Sequence, residues 1–179
     1  MDWTNNAKDI GFENVSEINI NDLTVLEDVR KMCASDKCKS YNKTWSCPPA
    51  CGSLEHCQKR INDYSYGVLV QTVYNLQDEF DFDSIKIAKK IHDKRFSTFV
   101  RQIRMFDKDC LPLAAGACTR CEKCTYPDKP CRYPDKMFAS MEAYGLLVSD
   151  VCEKSGMKYY HGEKKISFTS CVLLKEKNV

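Results

Sequence analysis

Apolar residues fall into a few short periodic stretches, separated by polar loops that carry most of the cysteines. Residues 3–10 predict a short opening helix. Asn14-Val15-Ser16-Glu17-Ile18-Asn19-Ile20 alternates polar and apolar positions, the pattern of a strand. Asn21-Asp22 offers a helix cap, and Leu23, Leu26, Val29 and Met32 share one face of a helix expected over 23–32. Residues 66–74 are almost continuously apolar, which predicts a strand buried on both faces in the middle of a sheet. The longest helix is expected over 81–106. Ile85, Ala88, Ile91, Phe99, Ile103 and Phe106 form its buried stripe, Lys86, Lys89, Lys90, Lys94 and Arg101 face away, and His92 sits at the stripe's boundary.

Residues 111–116 read as a short strand running into a cysteine-rich loop. Residues 140–155 read as a final helix, with Ser140 as cap and Gly156 at the stop. Residues 158–161 and 165–174 read as strands joined through Gly162. The order predicts an α+β (or α/β) fold: a small mixed sheet flanked by helices, with two cysteine-rich loops at one end. No repeat, low-complexity tract or linker divides the chain, so residues 1–179 are read as a single domain.

Composition changes this picture mainly through cysteine. A formal charge of +2 is nearly balanced, and no basic run or reading motif points to nucleic acid. No stretch approaches the ~20 apolar residues of a membrane helix. The start, Met1-Asp2-Trp3-Thr4-Asn5-Asn6, has neither a basic nor an apolar leader segment, which argues for a cytoplasmic protein. Twelve cysteines in such a compartment read as metal ligands or redox groups, not as a disulfide framework. With three histidines in the chain, a His-rich catalytic metal site is not expected. No Ser/His/Asp order, phosphate loop or paired-carboxylate signature stands out.

The densest chemistry lies in the loop at about 116–134. Cys118, Cys121 and Cys124 recur at i, i+3 steps, and Cys131 follows between Pro130 and Pro134. Three thiolates so spaced can aim at one face of an iron–sulfur cubane, and the spacer before Cys131 lets the chain fold back and complete the same centre. Zinc is the alternative, although zinc sites usually draw on two separated C-x2-C pairs. Pro127, Pro130 and Pro134 limit backbone freedom, and Lys123, Lys129 and Arg132 offset the thiolate charge.

A second set occupies an irregular loop at about 33–58. Cys33, Cys38, Cys47, Cys51 and Cys57 give five candidates for a four-ligand site, with His56 a weaker possibility. Its spacing suits iron–sulfur or zinc. Tyr41 and Trp45 either exclude water from the centre or fill the small core beneath the loop. Cys110, Cys152 and Cys171 fall on or beside regular elements and read as small buried hydrophobes.

Two motifs combine over nearly the whole chain. One is Cys33-x4-Cys38-x2-Tyr41-x3-Trp45-x-Cys47-Pro48-Pro49 with Ser53-Leu54-Glu55-x-Cys57. The other is Gly116-x-Cys118-x2-Cys121-x2-Cys124-x6-Cys131-Arg132-x-Pro134, followed by Ser140-Met141-Glu142-Ala143-x-Gly145. Together they resemble a bacterial and archaeal family of predicted metal-binding proteins of unknown function. The resemblance implies metal binding, and places the fourth N-terminal cysteine after a Ser-Leu-Glu turn. That favours Cys57 over Cys51, which stays the alternative ligand.

The leading expectation is therefore a protein with two 4Fe-4S clusters that transfers electrons to or from a redox partner protein. Fully cysteine-ligated clusters leave no open coordination position, which suits electron transfer better than catalysis. The alternatives are a zinc-binding structural or interaction module, and an enzyme whose N-terminal cluster has an iron open to substrate.

Overall fold

The computed structural model describes residues 1–78 and 80–175. Its frame is a five-stranded sheet of β1 (Asn14–Asn19), β2 (Tyr66–Asn75), β3 (Leu111–Ala114), β4 (Ala139–Ser140) and β5 (Lys165–Leu174), in the order β1-β2-β5-β3-β4. Neighbouring strands are antiparallel, except that β3 and β4 run parallel. Five α-helices complete an α+β fold: α1 (Trp3–Ile10), α2 (Glu27–Ala34), α3 (Leu54–Asn62), α4 (Phe82–Ile103) and α5 (Val148–Lys154).

Alternation along the central strands sorts side chains into two cores. Val68 and Val70 of β2, with Val172 and Leu174 of β5, join Trp3 and Ala7 of α1 and Phe96, Phe99, Val100 and Ile103 of α4. Leu69, Cys171 and Leu173 point the other way, to Ile61 of α3, Val151 and Cys152 of α5, and Met141 and Leu146. The apolar run over 66–74 is thus a central strand with both faces covered. Cys110, Cys152 and Cys171 are buried as small hydrophobes.

Several expected boundaries move, each for a local reason. Residues 20–22 form a 3-10 turn in which Asn19 Oδ1 accepts from the Asn21 amide, so α2 starts at Glu27 and leaves Met32 exposed. The loop expected over 33–58 ends early, because Ser53 Oγ accepts from the His56 amide and caps α3. No single helix spans 140–155. Ser140 caps only a 3-10 turn over Glu142–Tyr144, Gly145 turns left-handed, and α5 begins at Val148. Gly145 is held there by close approach as well: a Cβ would lie 2.6 Å from Leu54 Cδ2. Residues 158–161 form no strand.

In α4 the buried face includes Ala88, His92, Phe96, Phe99, Val100 and Ile103, whereas Ile85 and Ile91 are half-buried and Phe106 is exposed. His92 is not at a boundary but fully buried, with Nδ1 3.0 Å from Thr72 Oγ1 and Nε2 2.7 Å from Ser170 Oγ. Phe96 stacks beside it and Phe12 meets it edge-on. Burial in this apolar cage pushes its pKa down to about 3, with Lys89 and Arg95 adding to the effect.

Candidate metal centres

The parallel pairing of β3 and β4 forces the chain between them into a crossover, and that crossover carries Cys118, Cys121, Cys124 and Cys131. It is tied down at both ends. Phe138 packs edge-on against Phe96 of α4, and the guanidinium groups of Arg104 and Arg120 lie over its ring. Arg120 also donates to Ser97 Oγ at 2.9 Å and to the Lys136 carbonyl, while Arg104 donates to the Asp135 carbonyl. Within the loop, Thr125 Oγ1 donates to the Pro130 carbonyl and Arg132 donates to the Lys123 carbonyl. All four cysteines line one small cavity of ≈ 20 Å³, together with Thr44, Trp45 and Ser46 from the N-terminal loop. Burial raises the Cys118 pKa, while the neighbouring Arg120 draws it down.

The N-terminal loop turns through left-handed Asp36, Lys39 and Asn42. Asp36 Oδ1 accepts from the Tyr41 amide and its other oxygen pairs with Lys43, which stabilises the bend. Cys33 at the end of α2, Cys38 and Cys47 line a second, larger cavity of ≈ 410 Å³ with Gly116, Ala117 and Glu142. Burial raises the Cys33 pKa, and the Glu142 carboxylate and the thiols of Cys38 and Cys47 add to the rise. Glu142 Oε2 is buried with no hydrogen-bond partner among the described residues.

Cys51 and Cys57 stand apart from that lining. Cys51 Sγ lies 3.4 Å from the Ala143 carbonyl, and fully buried Cys57 on α3 receives a hydrogen bond from Arg30 Nη2 at 3.5 Å. Arg30 also donates to the Gly52 carbonyl at 2.8 Å, so it braces the turn between the two thiols. A hydrogen bond from Cys51 holds the Cys57 pKa down to about 7, with Arg30 assisting, and pushes Cys51 upward. His56 lies on α3 and lines neither cysteine cavity.

The two loops are joined directly. The Cys118 amide donates to fully buried Ser46 Oγ at 3.0 Å, and Ser46 precedes Cys47. Trp45 Nε1 donates to the Lys129 carbonyl at 3.1 Å, and its ring meets Tyr126 edge-on at 4.9 Å. Tyr126 in turn donates to Asn42 Oδ1 at 2.9 Å. Ser46 and Cys47 therefore face different cavities from adjacent positions, as do Cys118 and Ala117 on the other loop. Trp45 serves as the clasp between the loops.

Among the described residues, no three His, Cys, Asp or Glu side chains close around one point as they would about a single metal ion. What the fold brings together is donor chemistry. Four thiols around one cavity and three thiols with a carboxylate around another are ligand sets for a thiophilic metal or cluster. Beside Cys118, a groove of ≈ 700 Å³ collects Lys90, Lys94, Arg101, Arg120 and Lys136. Lys89, also in its wall, is neutralised by Asp93 at 2.6 Å. The other five have no ion-pair partner among the described residues.

Sequence reasoning missed Ser46, Glu142 and Arg30. The first two stood inside the quoted motifs without a role, because only the fold shows which loop they face. No described helix is long and apolar enough to cross a membrane.

A family model for predicted metal-binding proteins (DUF2284) matches residues 16–174. No curated protein matches the chain. Among solved structures, epoxyqueuosine reductase from Bacillus subtilis is similar at 8% sequence identity and a TM-score of 0.45. The match covers 98% of this chain, which spans less than half (45%) of that one.

Proposed function

We propose that this chain, which belongs to that family of predicted metal-binding proteins, holds two iron–sulfur centres and passes electrons to or from a partner protein. Cys118, Cys121, Cys124 and Cys131 hold the first. Cys33, Cys38 and Cys47, which share one cavity, hold the second. Such clusters, when bound, supply reversible one-electron storage at potentials set by their surroundings.

The observation that carries the reading is the junction of the loops through Ser46 and Cys118, which leaves adjacent residues facing two ligand sets. A storage module with one centre needs no such contact; a relay does. Trp45 and Tyr126 pack edge-on beside the junction. The unpaired cations beside Cys118 supply a docking surface for an acidic redox partner, since complementary charge accelerates encounter. The i, i+3 run of Cys118, Cys121 and Cys124 favours a cluster over zinc.

Anaerobic reconstitution tests the proposal. About eight iron and eight sulfide per chain, with a reversible redox signal, are expected for two four-iron centres. Purified protein carrying about two zinc per chain and unfolding on chelation contradicts it, and supports a structural metal module.

A further inference from the structure

The N-terminal ligand set is incomplete in a specific way. Cys33, Cys38 and Cys47 share one cavity, but neither Cys51 nor Cys57 lines it. Those two thiols are engaged elsewhere: Cys57 with Arg30 and the Cys51 carbonyl, and Cys51 with the Ala143 carbonyl. The group that does reach the cavity is Glu142, presented by the 3-10 turn that Ser140 caps and Gly145 ends. Its Oε2 is buried and unpartnered among the described residues. A buried carboxylate oxygen is normally met by a hydrogen-bond donor, a cation or a metal.

The remaining wall is mostly apolar, although Ser35, Lys37, Ser140 and Ser149 also border it. Val29, Leu146 and Val148 line it, and Met32 and Tyr159 stand exposed at its edge. At ≈ 410 Å³ the space falls within the range that holds small ligands, roughly 300–1,000 Å³. The C-terminal cavity, at ≈ 20 Å³, has no such room.

Building on the iron–sulfur reading, we infer that Glu142 occupies the fourth position of the N-terminal centre, and that this position opens onto the apolar cavity. A hard carboxylate oxygen is a weaker partner than thiolate for a thiophilic centre, so it is the ligand most readily displaced. The molecule that displaces it is small and mostly apolar, and carries a single donor atom. The C-terminal centre, enclosed by four thiols, then relays electrons between that position and the partner.

The probe is tert-butyl isocyanide, an apolar body with one donor carbon, titrated into the reconstituted, reduced protein and followed by electron paramagnetic resonance. The spectrum should change on binding, and the same change should appear in Cys118→Ser, where the N-terminal signal stands alone. Glu142→Gln should keep the iron content and bind the probe about tenfold more tightly, equivalent to ~1.4 kcal/mol of lost competition. Val148→Trp should fill the cavity and abolish the shift with iron retained. Cys51→Ser and Cys57→Ser should each keep both centres. Signals that ignore the probe in wild type and Glu142→Gln overturn the inference, as does a folded Cys57→Ser or Cys51→Ser protein that loses half its iron. Wild-type protein without iron fails the reading beneath it; wild-type protein with two centres and either of those outcomes fails this inference alone.

Discussion

His92 should make the fold sensitive to mild acid. Its ring is fully buried, both nitrogens are engaged by Thr72 and Ser170, and its pKa is pushed down to about 3 from an ordinary value near 6.5. The folded state therefore binds fewer protons than the unfolded state between those values. Stability from this group is complete above about pH 6.5 and falls as pH drops towards 3. At pH 5 the unfolded chain has gained about 1.5 pH units of protonation free energy that the folded chain cannot match. At ~1.4 kcal/mol per unit that is a loss of about 2 kcal/mol, or roughly thirtyfold in the folding constant. This window lies above the usual carboxylate range, so aspartate and glutamate contribute little to it. Urea unfolding at pH 7, 6 and 5 on wild type and on His92→Gln, which cannot gain the proton, isolates the term. Any acid release of metal is common to both proteins and cancels. The difference in slope should be about 2 kcal/mol across the range; parallel stability curves would refute the buried neutral imidazole.

Other consequences follow from the same geometry. Cys118→Ser should halve the iron content and leave the N-terminal signal, read by elemental analysis and paramagnetic resonance. Ser46→Ala leaves the Cys118 amide without its 3.0 Å acceptor, at a cost of about 1–3 kcal/mol, and should speed chelator extraction from the C-terminal site severalfold. Lys90→Glu with Lys94→Glu should slow electron exchange with an acidic carrier about tenfold at low salt, with the difference vanishing near 0.5 M salt in stopped-flow kinetics. Gly145→Ala should destabilise the fold by about 1–3 kcal/mol, because left-handed strain adds to the contact with Leu54. Gly162→Ala, whose Cβ would meet nothing within 4 Å, should cost less in the same urea titration.

Where local chemistry dominated, the sequence was readable. The alternation in β1, the continuous apolar run of β2 and the opening helix all appear as expected, because the face each one buries is evident from its own periodicity. The i, i+3 run at Cys118, Cys121 and Cys124 was equally plain, and with Cys131 those residues do share a cavity. What failed depended on distant partners. Gly145 breaks the helix expected over 140–155 because Leu54 of α3 crowds it and the Leu26 amide donates to its carbonyl at 2.8 Å. His92 looked like a boundary residue because Thr72 and Ser170, its partners, lie 20 and 78 positions away. The same limit applies to the candidate metal centres. The contact between Ser46 and Cys118 joins residues 72 positions apart, and no spacing rule announces it. Neither Cys51 nor Cys57, the two candidates the motif offers for the fourth N-terminal position, lines the cavity reached by Cys33, Cys38 and Cys47.

Whether two adjacent metal centres are joined through one buried contact is tested most directly by paramagnetic resonance of the fully reduced, anaerobically purified protein. About eight iron per chain are expected, with a spectrum broadened by magnetic interaction between two clusters that sharpens to a single isolated signal in Cys118→Ser. Protein that carries zinc in place of iron, or two cluster signals that show no interaction and are unchanged by that substitution, would contradict it.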